Sequence, residues 1–178
     1  GSLFHICSNL KLLDLSYNNL RILAADIFNQ LNQLSLLRLS DNQIEAIDGN
    51  LFERCSNLTE LNLFNNKLRI LSMNTFKTLT RLTKLSLDLS YNKLRILAAD
   101  TFKNLNQLNV LQLSDNQLEE IDKELFEACS SLTELNLSNN KLTFKQPTAI
   151  FKKLNKLSLL HLNNNQIETI DGNLFEGC

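Results

Sequence analysis

The chain has 178 residues, enough for one domain with a core of its own. Hydrophobic residues make up 43% and charged residues 21%, which excludes a disordered chain; four Gly and one Pro exclude collagen and low-complexity linkers. Its 18 basic and 19 acidic residues leave a net charge of -1, which gives no electrostatic footprint for nucleic acid and no polybasic membrane patch, and no apolar run approaches the ~20 residues of a membrane span.

Two residue types dominate, with 41 Leu and 25 Asn, and such an excess points to a period. Gly1-Ser2 reads as a cloning remnant with no signal-peptide pattern behind it, and residues 1–9 form a partial turn carrying Phe4. Seven repeats then start near 10, 34, 58, 82, 108, 132 and 157, within one domain over 1–178 that has no cap module. In the second repeat Leu37 and Leu39 alternate at period two, which predicts a strand with one buried face. The other repeats carry the same pattern. An Asn follows each strand: Asn18, Asn42, Asn66, Asn92, Asn116, Asn140 and Asn165. A buried amide in that column can bond backbone groups of its own and neighbouring coils, so these seven are expected to form a structural ladder. A Phe then follows each Asn, at Phe28, Phe52, Phe76, Phe102, Phe126, Phe151 and Phe175, in a return segment that closes the core. Parallel strands about 4.8 Å apart give a seven-stranded sheet roughly 30 Å long. No coil buries its Leu row alone, so stability comes from stacking.

The pattern L-x-x-L-x-L-x-x-N-x-L, seven times in phase, resembles the leucine-rich repeat family. The 24-residue spacing with a late Phe is similar to the "typical" form found in Toll-like receptor ectodomains and lamprey variable lymphocyte receptors. The resemblance implies an α/β repeat solenoid: a curved horseshoe with a concave parallel sheet and short 3-10 or irregular convex segments.

Two irregularities interrupt the period. Two extra residues fall between Leu82 and Asn92. Two is the number that keeps a strand's faces, so Leu85, Leu87 and Leu89 are expected to point inward with a longer strand or an offset ahead of them. One extra residue falls between Lys141 and Ile150, beside Pro147, and reads as a bulged surface loop. Residues 14–68 and 88–142 also align without gaps at 41 of 55 positions, and 34–55 matches 157–178 at 17 of 22. Such near-copies suggest duplicated or recombined coils, or an engineered hybrid.

Chemistry-bearing residues are sparse. Cys7, Cys55, Cys129 and Cys178 each sit three residues after a Phe, where other repeats carry Leu31, Leu79, Leu105 and Leu154, so they read as core side chains. Cys7 and Cys55 are two coils apart, about 10 Å, beyond the roughly 7 Å limit for a bridge, and no disulfide or metal is expected. His5 and His161 lie at opposite ends. No phosphate loop, no G-x-S-x-G, no H-E-x-x-H and no C-x-x-C occurs, and no cofactor or catalytic residue is assigned.

The function expected is therefore recognition of a protein or peptide, without nucleic acid or membrane insertion and without catalysis. By resemblance the chain is part of an extracellular or cell-surface immune-recognition protein; the alternatives are an intracellular interaction or effector scaffold and an engineered or hybrid repeat protein. Uncapped apolar ends suggest end-mediated dimers. The residues between the buried leucines supply the ligand-binding candidates on the concave face: Leu12, Asp14, Tyr17, Leu36, Arg38, Glu60, Asn62, Phe64, Asp88, Tyr91, Gln112 and His161. Leu36, Arg38, Phe64 and Tyr17 are expected to form one apolar patch with a charged rim, as binding hot spots do. A third column, Ser16, Ser40, Phe64, Ser90, Ser114, Ser138 and Asn163, is also expected to face outward.

Overall fold

A computed structural model describes Phe4 and residues 7–82, 87–144 and 149–176. In chain order its strands are β1 (Leu12–Asp14), β2 (Leu36–Arg38), β3 (Ala46–Ile47), β4 (Glu60–Asn62), β5 (Ile70–Leu71), β6 (Leu87–Asp88), β7 (Val110–Gln112), β8 (Glu134–Asn136) and β9 (Leu159–His161). Seven of them form one parallel sheet in the order β1-β2-β4-β6-β7-β8-β9, and β3 pairs with β5 in a second, two-stranded sheet. The central residue of each long strand pairs with its counterpart in the next coil: Leu13 with Leu37, Leu37 with Leu61, Leu61 with Leu87, and so on to Leu135 with Leu160. The register thus passes the two-residue insertion unbroken, and Leu87 and Leu89 are fully buried. Leu85 and Pro147 lie outside the described residues, as do His5 and Cys178.

The core is built from columns. Phe28, Phe52, Phe76, Phe102, Phe126 and Phe151 are all buried, and stacked neighbours such as Phe28–Phe52 and Phe102–Phe126 have ring centroids 6.4 Å apart. Cys55 and Cys129 are buried beside them and Cys7 is half-buried, all three as free thiols. Burial pushes the Cys55 thiol up to about 11 and the Cys129 thiol up to about 12, so both stay protonated at neutral pH and neither is a nucleophile.

The convex side contains no helix among the described residues. Each return segment is a series of single turns, such as the bond from Leu31 N to Phe28 O at 2.9 Å. Asp side chains fix several of them locally, with Asp48 Oδ1 accepting from Asn50 N and Asp122 Oδ1 from Glu124 N, both at 2.8 Å. The α/β expectation narrows here to a β-solenoid with irregular convex turns. The segments are too short, and too often punctuated by turn-forming side chains, to propagate a helix.

The Asn column joins the coils. Asn66 Nδ2 donates to the carbonyl of Leu39 in the preceding coil at 2.9 Å and to Leu63 and Phe64 in its own at 3.2 Å. Its Oδ1 accepts from Ile44 N at 3.0 Å. The same contacts recur at Asn42, Asn92, Asn116, Asn140 and Asn165. Among the described residues the Asn18 amide reaches only Leu15 and Ser16 of its own coil. One position further along the chain a backbone ladder follows, from Gln43 N to Leu20 O, Lys67 N to Ile44 O and Lys93 N to Leu68 O, continuing to Gln166 N and Leu142 O, with rungs of 2.8 to 3.0 Å. The flank beyond the sheet therefore keeps the coil register as strictly as the sheet does.

Candidate functional site

Strands β2, β4, β7 and β8 bury the middle leucine, the outer strands β1 and β9 leave Leu13 and Leu160 half-buried, and each turns its first and third side chains toward the inner face. The first column runs Leu12, Leu36, Glu60, Val110, Glu134 and Leu159. Leu12 and Leu159 are 45% and 51% exposed on the outer strands, whereas Leu36, flanked on both sides, is half-buried. The second column runs Asp14, Arg38, Asn62, Asp88, Gln112, Asn136 and His161. Arg38 lies across three coils, with Nε 3.1 Å from Glu60 Oε1 and Nη1 3.9 Å from Asp14 Oδ2. Gln112 Nε2 donates to Glu134 Oε1 at 2.7 Å.

Four residues of the second column close the same local turn. Asp14, Asn62, Asp88 and Asn136 each accept through Oδ1 from the backbone N–H two residues on, at 2.9 to 3.0 Å. The two carboxylates respond in opposite ways. The Ser16 N–H holds Asp14, open to solvent, below the usual carboxylate value. Asp88 accepts the same bond from Ser90, yet desolvation between flanking strands pushes it up.

The third column departs from the sequence reading. Ser40, Ser90, Ser114 and Ser138 are buried. The strand has already ended at the second column, so these short side chains tuck into the turn that follows. The next residue of each coil is left-handed: Tyr17, Asp41, Asn65, Tyr91, Asp115, Asn139 and Asn164 all have φ between 50 and 57°. Asp and Asn accept that conformation readily, and a bulky Tyr does so at a cost. Tyr17 is 82% exposed and Tyr91 52%. Phe64 turns to Tyr91, ring centroids 5.1 Å apart and tilted by 57°. Leu12, Leu36, Arg38 and Tyr17 lie on coils 1 and 2, and Phe64 contacts Tyr91 across coils 3 and 4. His161 stands on the far strand, exposed and apart from both. No group of three or more His, Cys, Asp or Glu among the described residues is placed to hold a metal.

A family model described as "Leucine rich repeat" matches residues 1–44, 33–88 and 85–142. The chain belongs to the leucine-rich repeat family. No protein of curated function matches it in sequence. Its fold is similar to a chain in the structure of the Drosophila Toll–Spatzle complex, "a molecular hub in Drosophila development and innate immunity", with a TM-score of 0.86 and 31% identity over 92% of this chain and 23% of that one. It is also similar to an internalin from Listeria monocytogenes, with a TM-score of 0.76 and 25% identity over 96% of this chain and 46% of that one. The APL1 leucine-rich repeat domain shares the fold alone, at a TM-score of 0.69 and 22% identity over 94% of this chain and 53% of that one. The chain therefore spans under a quarter of the Toll–Spatzle chain and about half of the other two. Family and fold make this leucine-rich repeat chain a protein-interaction module.

Proposed function

We propose that this leucine-rich repeat module is a non-enzymatic recognition element that binds a protein or peptide through the inner sheet face of coils 1 to 4, as part of an extracellular immune-recognition protein. The observation that carries the reading is the cluster of aromatic and apolar side chains that coils 1 to 4 set among the polar residues of this face. Tyr17 and Leu12 flank the tethered Arg38, and Phe64 packs on Tyr91. Aromatic rings and Arg set among polar neighbours are the composition of interface hot spots. The fold's likeness to a chain of the Toll–Spatzle complex, a hub of innate immunity, supports a protein partner and an immune-recognition role. No helix among the described residues is long and apolar enough to cross a membrane.

The test is Arg38→Ala combined with Phe64→Ser. The second change copies Ser138, the equivalent residue of the sister block, so the fold is retained. In binding measurements against a protein ligand, the variant is expected to lose at least about tenfold in affinity. Unchanged affinity with the fold intact refutes the inner face of coils 1 to 4.

A further inference from the structure

Large apolar residues also line up outside the inner face. Ile22, Ile70 and Ile96 are 87%, 73% and 76% exposed. All three stand four positions after the ladder Asn of coils 1, 3 and 4, and Ala46 holds that position in coil 2. The pairing of Ala46 with Ile70 in the β3–β5 sheet and the backbone ladder beside it place them in one straight row at about 4.8 Å per coil. Single exposed apolar residues are ordinary, but a row in register on a polar chain marks an interaction surface.

The charges along this flank name the occupant. Around the row on coils 1 to 4 stand five cations, Arg21, Lys67, Arg69, Lys93 and Arg95, with Glu45. On coils 5 to 7 the same positions carry Glu119, Glu120 and Glu168, with Lys141 among the described residues. The flank is thus basic and apolar at one end and acidic at the other. A surface with that polarity is complementary to itself when its coil order is reversed.

We propose that two copies of the chain pair flank to flank, antiparallel, about a two-fold axis running along coil 4. Coil 1 then meets coil 7 of the second copy and sets Arg21 against Glu168. Coil 3 meets coil 5 and sets Arg69 against Glu119. Coil 2 meets coil 6, with Ala46 on the half-buried Phe144, and Ile96 meets itself on the axis. Ionic and apolar rows alternate across the contact, which is the self-complementarity an isologous interface requires. Three positions are less favourable: Ile70 falls beside Glu120, and Lys93 and Arg95 each face their own copy. Arg95 is paired within its chain with Glu119 at 2.8 Å, so Glu119 would be shared between Arg95 and the Arg69 of the second copy. A strip about 30 Å long and 10 Å wide is small for a specific interface, so the dimer is weak and forms at high concentration.

The test is analytical ultracentrifugation of the intact chain at low salt, from about 10 μM to about 1 mM, the range in which so small a contact associates. A dimer that weakens as salt is added is expected. Arg21→Glu and Glu168→Arg should each weaken it at least about tenfold, and the double variant, which swaps the pair, should return to within about threefold of the parent. Ile96→Lys, which sets two ammonium groups on the axis, should abolish it. All three positions are exposed, so unchanged thermal unfolding serves as the folding control. A monomer throughout the range overturns the proposal. So does a double variant no better than the singles, or a dimer indifferent to Ile96→Lys, which puts the contact at the ends or on the inner face.

Discussion

Replacing Asn66 by Ala tests the physical content of the ladder. Asn66 is 6% exposed, and the buried Ile44 N–H donates to its Oδ1 at 3.0 Å. Removing the amide orphans that donor, at a cost of about 1–3 kcal/mol. The carbonyls of Leu39, Leu63 and Phe64 each lose a donor as well, and such losses are worth about 0.5–1.5 kcal/mol apiece before non-additivity. The expected loss is about 3–4 kcal/mol, close to the top of the usual range for one substitution. Asn18→Ala is the internal control, because Asn18 is exposed and its amide reaches, among the described residues, only its own coil; the expected loss there is at most about 1 kcal/mol. Urea unfolding followed by circular dichroism, with the m-value checked for constancy, measures both. Asn66→Asp discriminates further: it keeps the acceptor for Ile44 but turns a carboxylate toward three carbonyl oxygens, so at neutral pH it should be worse than Ala. Losses at Asn18 and Asn66 within about 0.5 kcal/mol of each other, the resolution to which distant sites compare, would refute the reasoning.

Asp88→Asn should raise the melting temperature at pH 7, since Asn62 and Asn136 already make the same turn without a charge. The folded-state value of Asp88 lies above the ordinary 3.8, so the penalty is present once both states ionise and vanishes below about pH 3.8; the melting curves of parent and variant, separated at pH 7, should converge at pH 3, and a gain that persists at pH 3 contradicts the desolvation account. Thr75, 1% exposed, buries a hydroxyl oxygen with no hydrogen-bond partner where other coils carry Ile27 and Leu51. Thr75→Val should therefore stabilise by about 1 kcal/mol in the same urea assay, and a loss would mean the hydroxyl has found a partner. Tyr17→Asn should also stabilise, by up to about 1 kcal/mol, because Asn tolerates the left-handed backbone that Tyr17 adopts at φ 57°; a destabilised variant would show that the ring is held by packing.

The columns were legible because they repeat. Leu37, Asn42 and Phe52 recur at one spacing in every coil, and a stacked solenoid turns equal spacing into contact. What escaped the sequence depends on where a strand stops and on the neighbour one coil away. Ser40 and Phe64 occupy the same column, but the chain turns there, so the small side chain is buried and the large one is left to find Tyr91. Tyr91 is one position beyond Phe64's column and one coil further on, and nothing in the spacing of either predicts that they touch. Asp14 and Asp88 are likewise one column and one hydrogen bond, separated only by the cover that flanking strands provide. The exposed flank of Ile22, Ile70 and Ile96 hid for a related reason: in sequence each reads as one more member of the apolar return segment, and only the fold shows which of two consecutive apolar residues faces water.

The locality of the ladders has a kinetic consequence. Their rungs join residues some 22 to 29 apart, in a chain of 178. That corresponds to a relative contact order of about 0.13, nearer to mixed α/β domains than to sandwiches, whose strands pair across the whole chain. No loop longer than one coil has to close before the first contacts form. Any adjacent pair of coils can serve as the nucleus, and growth proceeds in both directions from it. Folding speed should then depend on the most stable pair and hardly at all on the number of coils.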